Sequence, residues 1–266
     1  MTYIAEQCYC EQRVHLWLKK PSSMVSIPRE KEMLGGPALA LRHAADAGLT
    51  FHAQAAALSR PVTQTTLRKV LRSEPSVVLV ESPLQALFEG FPITGIPDAV
   101  HFEQAVARCV LDYKVTDSNQ LQMSHRVQLW LYGWLLQESS FKLSDALMVS
   151  VLVPSASAVA FEKLNEVERQ DLAVTVHHHA RAVVDGEPER ENWYVKKLAL
   201  SDGFWVRLRI FRYDRRKAKR ELAFFAQYWR GERAAIPSKN LRKCRVCLYN
   251  STGACKKALV PFEGAP

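Results

Sequence analysis

Charged residues set inside an apolar, β-branched stretch constrain this chain more than any other feature. Between Ser76 and Val115 the sequence runs in apolar blocks, Val77 to Val80, Ala86 to Val100 and Val106 to Val115, separated by polar or Pro-containing breaks. The pattern predicts a meander of three strands. Gly95-Ile96-Pro97-Asp98 falls on one of these strands and Leu111-Asp112-Tyr113-Lys114 on the next. A hairpin turning at Gln104 and Ala105 sets Asp98 opposite or diagonal to Asp112, so that the carboxylates converge on one face. Asp112 and Lys114 are two apart on a strand and share that face. Two hard oxygen ligands and one cation are thus aimed at one point.

Apolar residues at spacings of three and four, Val127, Leu131, Trp134 and Leu135, predict a helix from Leu121 to Gln137. Ala146 to Val153 reads as an apolar strand short enough to be buried on both faces. Upstream, Ile4 to Lys20 reads as a short helix ended by Pro21 and Pro28, and Ala38 to Leu58 as one long helix or two meeting near Gly48. Downstream come a polar helix, Glu166 to Val184, two strands, Trp193 to Ala199 and Phe204 to Phe211, and a last helix, Arg215 to Arg230. The order describes an α/β core with a mixed central sheet flanked by helices. With no internal repeat or interdomain linker, a single domain over residues 1–266 is expected.

Lys and Arg exceed Asp and Glu by 36 to 27, a formal charge of +9. Such a surface attracts a polyanion, and nucleic acid leads among partners. No apolar run is long enough to span a bilayer, and Met1 to Glu11 lacks a signal pattern, so a membrane partner is not expected and a cytoplasmic location is. A tract of Arg207, Arg209, Arg212, Arg215, Arg216, Lys217, Lys219 and Arg220 interleaves with Phe204, Trp205, Phe211 and Tyr213. It reads equally as a single-strand binding surface and as a solvated helix start over core aromatics.

Phosphodiester hydrolysis requires a cation to neutralise the phosphoryl oxygens and to generate hydroxide, and Mg²⁺ or Mn²⁺ prefers carboxylate and water ligands. Asp98 and Asp112 would hold it, and Lys114 would orient the attacking water or stabilise developing charge. A bare D-x-K is common and often a surface ion pair, so further features carry weight. His52 follows Gly48 as G-x-x-x-H and offers an imidazole to the same metal. Gln128 and Tyr132, at i and i+4, project from one helix face. His43 and His125 read as packed or solvated histidines, and the run His177-His178-His179 as a solvated face.

Taken in order, Gly48 with His52, Gly95-Ile96-Pro97-Asp98, Asp112-Tyr113-Lys114 and Gln128-Leu129-Trp130-Leu131-Tyr132 resemble the RecB-type PD-(D/E)XK nucleases, over roughly residues 45 to 155. The resemblance implies that His52, Asp98 and Asp112 bind the metal, that Lys114 is catalytic, and that Gln128 and Tyr132 support the site and the DNA.

The six cysteines, at 8, 10, 109, 244, 247 and 255, crowd at the chain ends and suggest ligands in a reducing compartment. Cys244-Arg245-Val246-Cys247 is a C-x2-C knuckle with Cys255 seven residues beyond, one thiolate short of a tetrahedral set. Cys10 or Cys8 supplies the fourth. Four thiolates suit zinc or a 4Fe-4S cluster. One cysteine near the start and three near the end resemble the iron-sulfur clasp of the CRISPR-associated Cas-four nucleases, with similar clasps in AddB-type and exonuclease-five-type enzymes. This likeness implies a structural 4Fe-4S cluster on Cys10, Cys244, Cys247 and Cys255, joining elements at 1–20 and 236–262. Cys10 is expected to share an inward helical stripe with Val14, Trp17 and Leu18, Cys8 to lie in an extended or frayed segment, and Cys109 to be a buried strand cysteine. The activity implied is a metal-dependent exonuclease on single-stranded DNA ends that trims new CRISPR spacers beside an adaptation integrase complex. A stand-alone repair or recombination nuclease, a DNA-binding scaffold and a zinc-bound structural protein are the alternatives, and the intact Asp98, Asp112 and Lys114 argue against the scaffold.

Overall fold

The structure, a computed structural model, describes residues 2–19, 70–71, 73–201, 203–245, 247–251 and 253–260. The helix expected over Ala38 to Leu58, with His43, Gly48 and His52, lies outside the described residues. The chain divides into two compact units, Ala44–Arg220 and the pairing of Met1–His43 with Glu221–Pro266.

The first unit is built on a six-stranded sheet. Its chain order is β1 (Ser76–Val80), β2 (Leu84–Phe88), β3 (Phe91–Gly95), β4 (Ala99–Glu103), β5 (Val106–Val115), α2 (Met123–Glu138), β6 (Leu147–Val153), α3 (Ser155–Glu162), α4 (Glu166–Gly186), β7 (Asn192–Ser201) and β8 (Phe204–Arg212). The sheet runs β1-β4-β5-β6-β8-β7, with β5 and β6 parallel and the other pairs antiparallel, while β2 and β3 form a separate hairpin. This is a mixed sheet flanked by helices, as expected.

One expectation fails at Ala86 to Val100, read from sequence as a single strand. Glu89 (φ 48°) and Gly90 (φ 84°) take left-handed conformations and fold β2 back onto β3. Ile96-Pro97-Asp98 then leaves the ladder before β4, at a proline that has no N–H to give. The hairpin from β4 to β5 does turn at Gln104 and Ala105, both left-handed (φ 49° and 61°).

Strand β6, Leu-Met-Val-Ser-Val-Leu-Val, is buried along its whole length between β5 and β8. A strand covered on both faces has no need of polar alternation. On one face, Cys109, Leu111 and Tyr113 of β5 pack with Leu147, Val149 and Val151 of β6 against Phe161 of α3 and Leu172, Val176 and Val184 of α4. Helix α4 starts with a capping box in which Asn165 and Glu168 satisfy each other's backbone N–H. Because side chains alternate along a strand, Val110, Asp112 and Lys114 point to the other face. Helix α2 packs there, against β2, β3, β5 and β6.

In the other unit, α1 (Thr2–Lys19) is interrupted at Cys10, whose backbone (φ −168°, ψ 110°) is extended. Cys10, expected on one helical stripe with Val14, is therefore out of helical phase with it, while the side chains of Trp17 and Leu18 lie outside the described residues. Cys8, expected in a frayed segment, lies within the helix and is half-buried. Buried Glu11 receives both Nη atoms of Arg233, at 2.5 and 2.6 Å, and the Ile236 N–H at 2.9 Å. A carboxylate so paired is tolerated away from water. After α5 (Arg215–Trp229) come the short helices α6 (Leu241–Arg245) and α7 (Leu248–Ser251). No helix among the described residues is long and apolar enough to cross a membrane.

Candidate active site

Asp98, Asp112 and Lys114 meet at the start of β4 and the middle of β5. Ala99 pairs with Leu111, so Asp98 falls opposite Asp112. Asp98 Oδ2 accepts the Tyr113 N–H at 2.5 Å, and Lys114 Nζ donates to Asp112 Oδ1 at 2.7 Å. Both carboxylates are buried, and the Lys114 side chain is 22% exposed, reaching from solvent to the acids. Asp112 Oδ2 is buried and has no hydrogen-bond partner among the described residues. Burial alone would lower the Lys114 pKa, but Asp112 and Asp98 prevail and hold it above its ordinary value. The lysine is a cation at neutral pH.

From α2, Gln128 Nε2 lies 2.6 Å from Tyr132 Oη and donates to it. Burial, then the fields of Asp112 and Asp98, push the Tyr132 hydroxyl well above its ordinary pKa, which keeps it protonated. The i, i+4 pair predicted from sequence thus stands within electrostatic reach of the acid pair. Glu81, which the sequence reading overlooked, is a further acid nearby. It follows β1, donates its backbone N–H to the Asp98 carbonyl at 3.2 Å, and adds its charge to the field on Tyr132. Its position in a left-handed turn (φ 49°) between two strands carries no sequence signal beyond the letter itself.

The basic tract resolves in favour of structure at two positions. Arg207 donates to the carbonyls of Asp117 (3.1 Å) and Thr116 (2.6 Å) and to Asn119 Oδ1 (2.5 Å), while Arg209 donates to the Asn119 carbonyl at 2.9 Å. These arginines fasten the loop that follows Lys114. The Arg209 guanidinium also stacks on the Tyr194 ring, 3.8 Å from its centroid.

His177 overturns the reading of the histidine run as a solvated face, since it is only 4% exposed. Consecutive helix positions point in different directions, and His177 is the one of the three that is buried, with His178 exposed. His177 Nδ1 lies 2.7 Å from Nδ1 of buried His101 on β4.

Cys10, Cys244, Cys247 and Cys255 line one small pocket of the terminal unit, together with Arg13, Ser238 and Asn250. The Ser238 N–H points to Cys10 Sγ at 3.4 Å, and buried Asn250 donates to the Cys244 carbonyl at 3.0 Å. Cys8 is not among the residues lining it, and burial pushes its thiol up to about 12. Cys109 is fully buried in β5, as expected.

Residues 12–252 match the PD-(D/E)XK nuclease superfamily. No curated protein matches the chain. A solved structure described as "Crystal structure of SSO0001" aligns with 97% of this chain and 86% of its own at 13% identity and a TM-score of 0.43, a likeness too weak to bear on function.

Proposed function

The chain belongs to the PD-(D/E)XK nuclease superfamily, and from that premise we propose that it is a metal-dependent deoxyribonuclease with Asp98 and Asp112 as its acid pair and Lys114 as its catalytic lysine. The observation that carries this reading is the buried Asp112 carboxylate, with Oδ1 on the lysine and Oδ2 without a hydrogen-bond partner among the described residues. An anionic oxygen in that setting fits a hard divalent cation. Mg²⁺ or Mn²⁺ held by Asp98 and Asp112, with His52 as a further ligand, would supply Lewis-acid neutralisation of the phosphate and an activated water. Lys114 contributes a fixed positive charge beside the acids, placed to orient the nucleophile and to balance charge that develops on the phosphoryl oxygens. The Tyr132 hydroxyl, held by Gln128 and kept protonated by burial and the field of the acids, would support the acid pair from α2.

The four cysteines fit a 4Fe-4S cluster by donor type, and their shared pocket draws on both ends of the chain. In that reading Cys10 is the N-terminal ligand and the cluster is structural. The cluster clasp, with the resemblance to the Cas-four nucleases, supports exonuclease action on single-stranded DNA ends and a place in CRISPR spacer trimming beside the adaptation integrase complex.

The test is digestion of end-labelled single- and double-stranded DNA, and of closed circular single strands, with Mg²⁺, Mn²⁺ or chelator. Metal-dependent shortening of linear single strands, with circles spared, is the expected outcome. Cleaved circles would replace the exonuclease with an endonuclease, and no cleavage in either metal would overturn the catalytic reading.

A further inference from the structure

On the sheet face opposite Asp112, three potential ligands converge. His101 and Glu103 are two apart on β4, with the same parity as Ala99 of the core, and His177 reaches them from α4, which packs on β1 and β4. The ring nitrogens His101 Nδ1 and His177 Nδ1 are 2.7 Å apart, and Glu103 Oε1 lies 3.7 Å from His177 Nδ1. One ligand atom from each residue falls within 4.8 Å of the other two.

We propose that His101, Glu103 and His177 form a second metal site, specific for a zinc-like divalent transition ion and separate from the acid pair. Two imidazoles and one carboxylate are a donor set suited to such an ion, whereas Mg²⁺ prefers oxygen alone. Ser76 Oγ sits 2.8 Å from His101 Nε2, which fixes the ring and leaves its Nδ1 facing His177. Orienting partners of this kind accompany metal-bound histidines. Tetrahedral bonds of about 2.0 Å place two nitrogens about 3.3 Å apart, so the rings must part by roughly half an ångström on binding. Glu103 and His177 also line a surface depression with Arg108, Asp145, His178 and Arg181, which gives an ion and water access to them. A bulge where β4 pairs with β5, between His101 and Phe102, shapes this end of the strand. The ion would tie α4 to β4, the strand that Asp98 precedes.

The experiment is metal analysis and thermal unfolding of the chelator-stripped full chain after titration with Zn²⁺. Wild type is compared with His177→Gln and Glu103→Gln, with circular dichroism as the check on folding. Zinc taken by the cysteines is common to all three proteins and cancels. Wild type is expected to bind one more tight equivalent than His177→Gln and to gain Tm with Zn²⁺ through this site, while Glu103→Gln binds that equivalent at least tenfold more weakly. If His177→Gln does not fold, Glu103→Gln decides alone, because its side chain is 37% exposed and leaves the imidazole pair in place. Equal stoichiometry, affinity and Zn²⁺-dependent Tm in wild type and Glu103→Gln would overturn the site and leave a histidine-histidine hydrogen bond within the core.

Discussion

Asp98 holds the backbone of the residue between Asp112 and Lys114, accepting the Tyr113 N–H through Oδ2 at 2.5 Å. The segment before β4 is thereby locked to the middle of β5, and the acid pair is set by a strand-to-strand contact rather than by side-chain rotamers alone. Asp98 is structural as well as a candidate ligand, whereas the Asp112 carboxylate holds no backbone N–H among the described residues and bonds Lys114 through Oδ1.

Two substitutions should therefore separate. Asp112→Asn is expected to lower metal-dependent cleavage by at least about 10²-fold while leaving the fold intact, because it removes a group needed in the transition state. Asp98→Ala should lose cleavage and also about 1.5–3 kcal/mol of stability, the range for a hydrogen bond to a charged group. Nuclease assays and urea unfolding of both variants check this, and wild-type rates in Asp112→Asn would remove the site assignment.

Lys114 has its pKa raised, because the two acids outweigh burial. Its ammonium is therefore the prevailing form at pH 10.5 and below, and is lost as pH rises through the raised pKa. In the metal-free protein the Lys114 side chain should accordingly show no deprotonation between pH 7 and about 9.5, as NMR of its Nζ-bearing methylene would register. Cleavage by Lys114→Met should be slow across the same range, by about 10²-fold or more. A Lys114 titration centred near pH 8 in the metal-free wild type would contradict a lysine held charged by its neighbours.

The cysteine pocket predicts a brown protein, with Cys247→Ser bleaching it and lowering its stability. Cys10→Ser should lose iron, while Cys8→Ser keeps most of it, since Cys10 lines the pocket with Cys244, Cys247 and Cys255 and Cys8 does not. Iron per chain after anaerobic purification is the measurement. Loss of iron in Cys8→Ser alone would move the ligand to Cys8, and a colourless protein with stoichiometric zinc would replace the cluster with zinc.

Gly133 of α2 lies against the Tyr213 ring, so closely that an added Cβ would stand 2.5 Å from Tyr213 Cδ2. Tyr213 is itself held by a hydrogen bond from its hydroxyl to Gln137 Oε1 at 2.9 Å and cannot easily retreat. Gly133→Ala should cost about 1–3 kcal/mol despite the better helix propensity of alanine. Chemical denaturation of the single variant, and of the double variant with Tyr213→Leu, tests this, and unchanged stability in Gly133→Ala would show that the ring moves.

What the sequence determined by itself was local or periodic. The alternation along Val106 to Val115 put Asp112 and Lys114 on one face, Gln104-Ala105 marked the turn that brings Asp98 alongside, and i, i+4 spacing paired Gln128 with Tyr132. These follow from backbone geometry within a few residues, which a single chain carries in its letters. The tertiary structure decided the rest. It set which helix covers which face of the sheet, so that α2 stands over the acids while α4 brings His177 to His101, 76 positions away in sequence. It interrupted α1 at Cys10 and turned Arg207 and Arg209 toward the loop after Lys114. Each of these depends on a partner distant in the chain, and burial, not local propensity, selects among the conformations that the letters alone permit.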